Sequence, residues 1–478
     1  MVRNASEGVI GISKNNSHYF FYKGKEVLLI TSAEHYGAVV NARFDYVKYL
    51  DALAEYGLNY TRIYPGAMIE KVGSWLPEDT LAPGADLIVP WARADEDGYI
   101  CGGKKFDLDT WDPAYFARLR DFLAQAAMRN IIVEICFFNC QYETQWPYSP
   151  LYKGNNIQGV GNCHYNTCQT LDNAPLAREH LRYVEKLIVE TNDFDNIIYE
   201  FVDEPTLFEV PSRKAWQWIS ALIDKAIETE DKLPKKHLLA QQQELGINFG
   251  DDDRTGLIVT QYIITQSRQV GGIDALNNFY GYGPNGYGKP IELNETAYIP
   301  SWIPGESLQP PLSRLEAWEF MVGGGAGFNQ LNGYFLPSNP GGDLAVNKKL
   351  LQGLRNLRAF LEGFDFAKMR RDLSVVKGSS VGASVNGISE KGRQYALYMH
   401  HSFPCFGGGT WYWPSHGEYE TKLTIRVERG RYTLTFVEPE TLKVLARREL
   451  VSDGEDMEIT CPRYTLDIAV KIVAVDAD

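Results

Sequence analysis

The chain has 478 residues, 44% of them hydrophobic and 13% aromatic, enough for one barrel-sized domain and a smaller companion. A formal net charge of −14 without a long basic run argues against nucleic acid and anionic membrane surfaces as partners, since both need clustered Lys and Arg, and favours a neutral ligand. Seven cysteines in so long a chain imply no disulfide framework, and the start lacks the apolar core of a signal peptide, so the chain reads as soluble, either cytoplasmic or secreted with its export signal omitted.

Val27–Thr31 reads as a first strand, ending in Ser32-Ala33-Glu34-His35-Tyr36. Tyr46–Tyr56 carries apolar residues at Tyr46, Val47, Leu50, Leu53 and Ala54, the spacing of one buried helix face. Asn59–Tyr64 is the second strand, followed by a long polar insertion containing Trp75 and Trp91. A helix over Pro113–Arg129 and a strand over Ile131–Phe138 resume the alternation. After a long aromatic loop, Gln141–Asp172, come a helix (Ala177–Thr191), a fourth strand running into Glu204, a helix (Lys214–Glu228) and a fifth strand (His237–Gln242). Leu257–Ile263 and Pro290–Leu293 read as strands six and seven, Arg314–Val322 as a helix, Gly327–Tyr334 as strand eight, and Leu350–Phe364 as the last helix. From Ser374 onward period-2 runs replace the helical period, as in Tyr395–Met399, Lys422–Val427 and Tyr432–Phe436. The expectation is an α/β chain: a (β/α)8 TIM barrel with an N-terminal β-hairpin over residues 1–369, then a small antiparallel β-sandwich over residues 370–478.

Ile197-Ile198-Tyr199-Glu200-Phe201-Val202-Asp203-Glu204 and Pro290-Ile291-Glu292-Leu293-Asn294-Glu295 are both apolar strands that end in a carboxylate. Strand ends of a barrel open onto one face, so Glu204 and Glu295 are placed to meet across a pocket. Paired carboxylates are what hydrolysis of a glycosidic bond needs, one as proton donor and one as nucleophile or base. His35 ends the first strand and Asn139 the third, where each would line the same pocket. Trp146 in the long third loop, Trp302 after the seventh strand and Tyr334 after the eighth are candidates to pack on a sugar face. Simple alternation puts Glu200 on the opposite face of its strand from Asp203. The cysteines lack the paired spacing of a zinc site, and no metal or cofactor is expected.

Tyr199-Glu200-Phe201-Val202-Asp203-Glu204-Pro205 resembles the Asn-Glu-Pro signature that ends strand four in clan A glycoside hydrolases, such as the family 5 cellulases. Lys289-Pro290-Ile291-Glu292-Leu293-Asn294-Glu295 is similar to their strand-seven pattern, and Gly57-Leu58-Asn59-Tyr60-Thr61-Arg62 to the segment entering their strand two. The resemblance implies a retaining β-glycosidase acting on a neutral saccharide, β-glucan-like by preference, with Glu204 as acid/base and Glu295 as nucleophile. It also implies that Arg62 keeps Glu295 ionised and that Tyr262 hydrogen-bonds it. Asp203 stands where the clan carries an Asn that donates to the sugar's 2-hydroxyl, and that departure motivates a second reading: a carbohydrate-binding barrel with impaired catalysis. The oligomeric state is left open by the sequence.

Overall fold

The structure is a computed structural model and describes residues 2–70, 86–207, 209–244, 246–261, 272–283, 286–298, 309–406 and 410–475. Eight parallel strands form the central sheet: β1 (Leu29–Ala33), β2 (Tyr60–Ile63), β3 (Ile132–Asn139), β4 (Ile197–Asp203), β5 (Leu238–Gln242), β6 (Leu257–Gln261), β7 (Ile291–Glu295) and β8 (Gly327–Asn332). Parallel ladders run from β2 through β8 in sequence order, and β8 pairs back onto β1. The remaining seam, between β1 and β2, is spanned by the Asn59 side chain. Its Oδ1 accepts from the Ile30 amide at 3.1 Å and its Nδ2 donates to the Leu28 carbonyl at 2.8 Å. Backbone bonds from Asn59 N–H to the Ile30 carbonyl (3.4 Å) and from Tyr64 N–H to the His35 carbonyl (3.1 Å) cross the same seam, so the nearly closed barrel is completed by backbone and side-chain amide together.

Helices α1 (Tyr46–Glu55), α2 (Pro113–Met128), α3 (Ala174–Thr191), α4 (Ser212–Glu230), α5 (Gly272–Phe279), α6 (Gln309–Val322) and α7 (Ala345–Glu362) accompany these strands. Their starts are chemically marked. Asp45, Asp112 and Asn173 each accept an amide hydrogen of the first turn, and Pro113 and Pro175 sit where no amide partner is needed. The expected boundaries hold to within a few residues, because caps and apolar stripes agree. The N-terminal hairpin has a third strand: Gly11–Ile12, Phe20–Tyr22 and Lys25–Val27 form an antiparallel sheet.

Residues beyond Met369 form the expected antiparallel sandwich. One sheet runs in the order Arg370–Arg371, Ser384–Glu390, Gln394–His400, Asp467–Ala474, Gly430–Val437 and Val444–Ser452. The facing sheet is made of Val376–Ser379, Lys422–Ile425 and Met457–Thr460. Leu397, Leu423, Ile425, Leu434 and Val470 fill the space between them. The outer face of the larger sheet lies on α6, which is buried on nearly all sides and so shows no amphipathic stripe. Trp318 of α6 packs 5.5 Å from Tyr398 and 5.0 Å from Phe360 between ring centroids. Among the described residues, no helix is long and apolar enough to cross a membrane.

Candidate active site

The barrel interior is stacked in layers, and unusually many of them are acidic. On β2, alternation turns Tyr60, Arg62 and Tyr64 inward. At the lowest level the Tyr60 hydroxyl donates to Glu134 of β3 and contacts Glu292 of β7 across the barrel. Gly327 makes room there, since a Cβ at that position would lie 2.9 Å from the Glu292 side chain. One level up, the fully buried Arg62 guanidinium donates to Glu200 (2.8 Å), Asp203 (2.9 Å) and Glu295 (2.9 Å), with Glu134 at 3.8 Å. One cation therefore serves four carboxylates. Asn294 braces Glu200 from β7 at 3.1 Å.

Glu200 was placed by alternation on the face opposite Asp203, yet both meet Arg62. The ladder between β4 and β5 covers only Ile198, Tyr199 and Glu200. Beyond it the Gln241 side chain takes over, accepting from the Val202 amide at 3.2 Å and donating to the Val202 carbonyl at 2.8 Å. Freed from the β5 ladder while its pairing with β3 continues through Asp203, the strand end turns Asp203 inward. On β7 a register shift does the same: Thr260 faces Leu293 but Gln261 faces Glu295, so Asn294 is an extra residue that re-aims Glu295 into the barrel.

Asp203 is saturated by donors. Its Oδ1 accepts from Arg62 and from the Gln261 side-chain amide, and its Oδ2 from Tyr64 (2.7 Å) and Asn139 (3.0 Å). Glu295 accepts from Arg62 and lies 3.2 Å from the Tyr64 hydroxyl and 3.5 Å from Nδ1 of His35. Asn329 donates to Nε2 of His35 at 2.9 Å, which leaves the ring hydrogen on Nδ1, a buried atom without a hydrogen-bond partner among the described residues. Burial lowers the His35 pKa to about 3, so the ring is neutral.

Arg62 favours the ionised form of Glu295. Burial and the neighbouring Asp203 charge push its pKa up to about 8, against the opposing pull of Arg62 and Tyr64. A guanidinium divided among several carboxylates cannot neutralise each of them.

Glu204 follows β4 with a φ of +50°, a left-handed conformation costing about 1–3 kcal/mol in a residue with a Cβ. Its amide donates to Oε1 of Gln242 at 2.7 Å, and its Oε2 accepts from the Cys140 thiol at 3.3 Å. Burial first, and then the charges of Glu295, Glu70, Asp203 and Glu204, raise the pKa of the Tyr36 hydroxyl well above 10. Cys140 also lies 3.1 Å from Oδ1 of Asn139, whose amide donates to Asp203, so the strand-four and strand-seven carboxylates belong to one connected set.

The remaining expected residues divide. His35, Arg62, Asn139, Asp203, Glu204 and Glu295 come together at the C-terminal ends of the strands. Tyr334 is buried, its hydroxyl donating to Gln309 of α6. Trp146 is turned into its own loop, with its indole N–H on the Cys163 carbonyl at 3.2 Å and its ring 5.8 Å from that of Tyr152. Tyr262 and Trp302 lie outside the described residues. The sequence reading missed Tyr64, Gln261 and Cys140. For Tyr64 the signal was available, since it continues the Tyr60-x-Arg62 alternation; for the others none was.

Fold and site together define a (β/α)8 barrel with an acidic, tyrosine-lined pocket at the C-terminal ends of its strands. No protein-family model matches the chain, and no curated protein matches it in sequence. Among solved structures it is similar to a putative glycoside hydrolase from Bacteroides vulgatus ATCC 8482, with a TM-score of 0.63 and 14% identity over 98% of this chain and 83% of that one. It is also similar to a glycoside hydrolase family 5 protein from the same organism (TM-score 0.62, 12% identity, covering 98% and 94%). A further structure described as a glycoside hydrolase gives a TM-score of 0.61 at 11% identity, covering 98% of both chains. The fold is thus the one that the strand-end motifs led us to expect.

Proposed function

We propose that the protein is a glycoside hydrolase that cleaves a β-glycosidic bond of a neutral oligo- or polysaccharide by retaining double displacement. The observation that carries this reading is the continuous set of contacts that runs from Glu204 through Cys140, Asn139 and Asp203 to Arg62 and Tyr64, the donors of Glu295, at the ends of β4 and β7. Glu204 donates its proton to the departing glycosidic oxygen while the Glu295 carboxylate attacks the anomeric carbon, giving a glycosyl ester and a free hydroxyl. Glu204, now ionised, takes a proton from water, whose oxygen attacks the same carbon and releases Glu295. Arg62 and Tyr64 hold Oε2 of Glu295 in place for attack. A neutral substrate fits a site whose one described guanidinium is already committed to carboxylates, in a chain of net charge −14. β-Glucan-like polymers are the favoured class.

The raised pKa of Glu295 lends weight to a second reading, a carbohydrate-binding barrel without turnover, because a protonated carboxyl is no nucleophile. One experiment separates the two. Reducing-sugar release is followed from β-glucans, mannans, xylans and aryl β-glycosides, at pH 6 and pH 8.5, with Glu204→Gln and Glu295→Gln alongside. Release by the parent protein, lost in both variants, establishes the hydrolase. Saccharide binding without release at either pH establishes the binding barrel.

A further inference from the structure

We propose that Gln242, the last residue of β5, is a positioning residue for Glu204: its side-chain oxygen pins the peptide that leads into the left-handed backbone and so sets the direction of the Glu204 side chain. The proposal rests on the reading of Glu204 as acid/base and names what aims it.

Three consecutive glutamines, Gln241, Gln242 and Gln243, are buried where β5 ends. Their backbone stays in register with β6. Gln241 faces Ile258, Gln242 faces Val259, and the Gln243 amide donates to the Val259 carbonyl at 2.9 Å. On the β4 side, backbone pairing stops at Glu200 and side chains take over. Gln241 exchanges two hydrogen bonds with Val202, and two residues further on Gln242 accepts from the Glu204 amide at 2.7 Å. Gln243 donates to the Gln241 carbonyl at 2.6 Å and accepts from the Phe249 amide at 2.8 Å, which ties the segment to the loop beyond β5.

The peptide between Asp203 and Glu204 is held at both of its polar ends. Its oxygen accepts from the Cys140 amide, just past β3, at 3.0 Å, and its N–H is the one that Gln242 takes. Glu204 has a φ of +50°, which a residue with a Cβ keeps only where its surroundings over-determine it. With the peptide plane fixed, the Cβ leaves the chain in the direction that brings Oε2 3.3 Å from the Cys140 thiol. Without the Gln242 oxygen the buried amide loses its acceptor, and rotation toward an ordinary negative φ relieves the strain and the orphaned donor together. The carboxyl turns with the backbone. Among the described residues, Gln242 hydrogen-bonds neither Glu295 nor its donors Arg62 and Tyr64, so its loss bears on Glu204 and leaves the nucleophile in place.

The test has one arm that needs no turnover. Amide hydrogen exchange is followed by NMR in protein labelled with 15N-glutamate and 15N-valine, for the parent, Gln242→Met and Gln242→Glu, with Glu204→Gln assigning the Glu204 signal. Gln242→Met removes the acceptor at similar volume, and Gln242→Glu keeps an oxygen at the same reach. Gln242→Met should speed exchange of the Glu204 amide about tenfold or more, while the Val202 amide, held by Gln241, keeps the parent rate. Gln242→Glu should match the parent at both amides. The second arm is kinetic. An aryl β-glycoside with a strongly acidic phenol needs little proton donation to its leaving group, and one with a weakly acidic phenol needs much. Gln242→Met should lower kcat/KM about tenfold or more for the poor leaving group and about twofold or less for the good one, with Gln242→Glu restoring the first. Equal losses for both substrates, or a Glu204 amide that exchanges at the parent rate in Gln242→Met, overturn the proposal. If Gln242→Met does not fold, Gln242→Asn, which withdraws the oxygen by a methylene, takes its place in both arms. An amide that responds as expected in a protein that hydrolyses nothing supports the pinned peptide and counts against the glycosidase reading alone.

Discussion

The Tyr64 hydroxyl lies 2.7 Å from Oδ2 of Asp203, and this bond closes a set of four donors around one carboxylate. An Asn in the same place would present an amide N–H₂ to two of those donors and leave them facing hydrogens. The departure from the Asn of the resembling family is therefore built into the surroundings, which require two acceptor oxygens. Asp203→Asn should lower stability by about 2–4 kcal/mol, as expected when a buried charge network loses a member. Urea unfolding of the two proteins measures the difference. A variant as stable as the parent would mean that the donors rearrange freely around an amide.

Tyr64 has a single proton and two carboxylates within reach, Asp203 at 2.7 Å and Glu295 at 3.2 Å, while Arg62 donates to its oxygen at 2.8 Å. Its hydrogen bond favours the ionised form of Glu295. Tyr64→Phe removes that support, so the acidic limb of the kcat/KM profile should move to higher pH. Activity at pH 6 should fall about tenfold for each unit of that shift, with a smaller loss at pH 9. An equal loss at every pH would instead point to damaged geometry.

How far the site could be read from sequence depended on strand regularity. Arg62 and the terminal carboxylates were legible because each sits at a strand end marked by an apolar run. Glu200 was not, since the Gln241 side chain replaces backbone pairing to β5 and the alternation rule fails at Val202–Asp203. Glu292 and Glu295 share the interior through a bulge that leaves no mark in the sequence. Cys140 belongs to the site through contacts between neighbouring strand ends, which no local pattern reports. The barrel was the easier inference, because eight apolar runs and capped helices agree at every step.

The acidic interior makes stability fall as pH rises. Burial raises Glu292, Glu295 and Glu244 to about 8 and Glu34 to about 7, and raises Glu134 and Glu200 as well. Unfolded, each titrates near 4.5, so above that pH the native state binds more protons than the unfolded state. The stability from these groups is complete below pH 4.5 and is lost as pH climbs through about 8. Buried His18, His35 and His180, lowered to about 4, 3 and 3, act in the opposite sense, but only below about 6.5. Between pH 6.5 and 8 the carboxyls act unopposed, with a slope of about 1.4 kcal/mol per pH unit for each proton held. Calorimetry across that interval should show a falling Tm, and Glu292→Gln, which cannot ionise, should flatten the fall. A Tm that is level from pH 6.5 to 8 would refute the protonated interior.

Arg314 of α6 reaches the larger C-terminal sheet, where its Nε and Nη2 meet the Asp467 carboxylate at 2.9 and 3.2 Å and its Nη1 meets Glu440 at 3.1 Å. Tyr398 donates to the same Asp467 oxygen at 2.9 Å, and Arg314 and Asp467 are both buried. Arg314→Ala leaves Asp467 with one donor in a dry contact and should cost about 3–5 kcal/mol. An apolar pair of similar volume, Arg314→Met with Asp467→Leu, removes the stranded charge and should recover most of that loss. Guanidinium unfolding of the single and double variants supplies the comparison. If the double variant is no more stable than Arg314→Ala, the contact depends on the ion pair itself rather than on filling the space between α6 and the sheet.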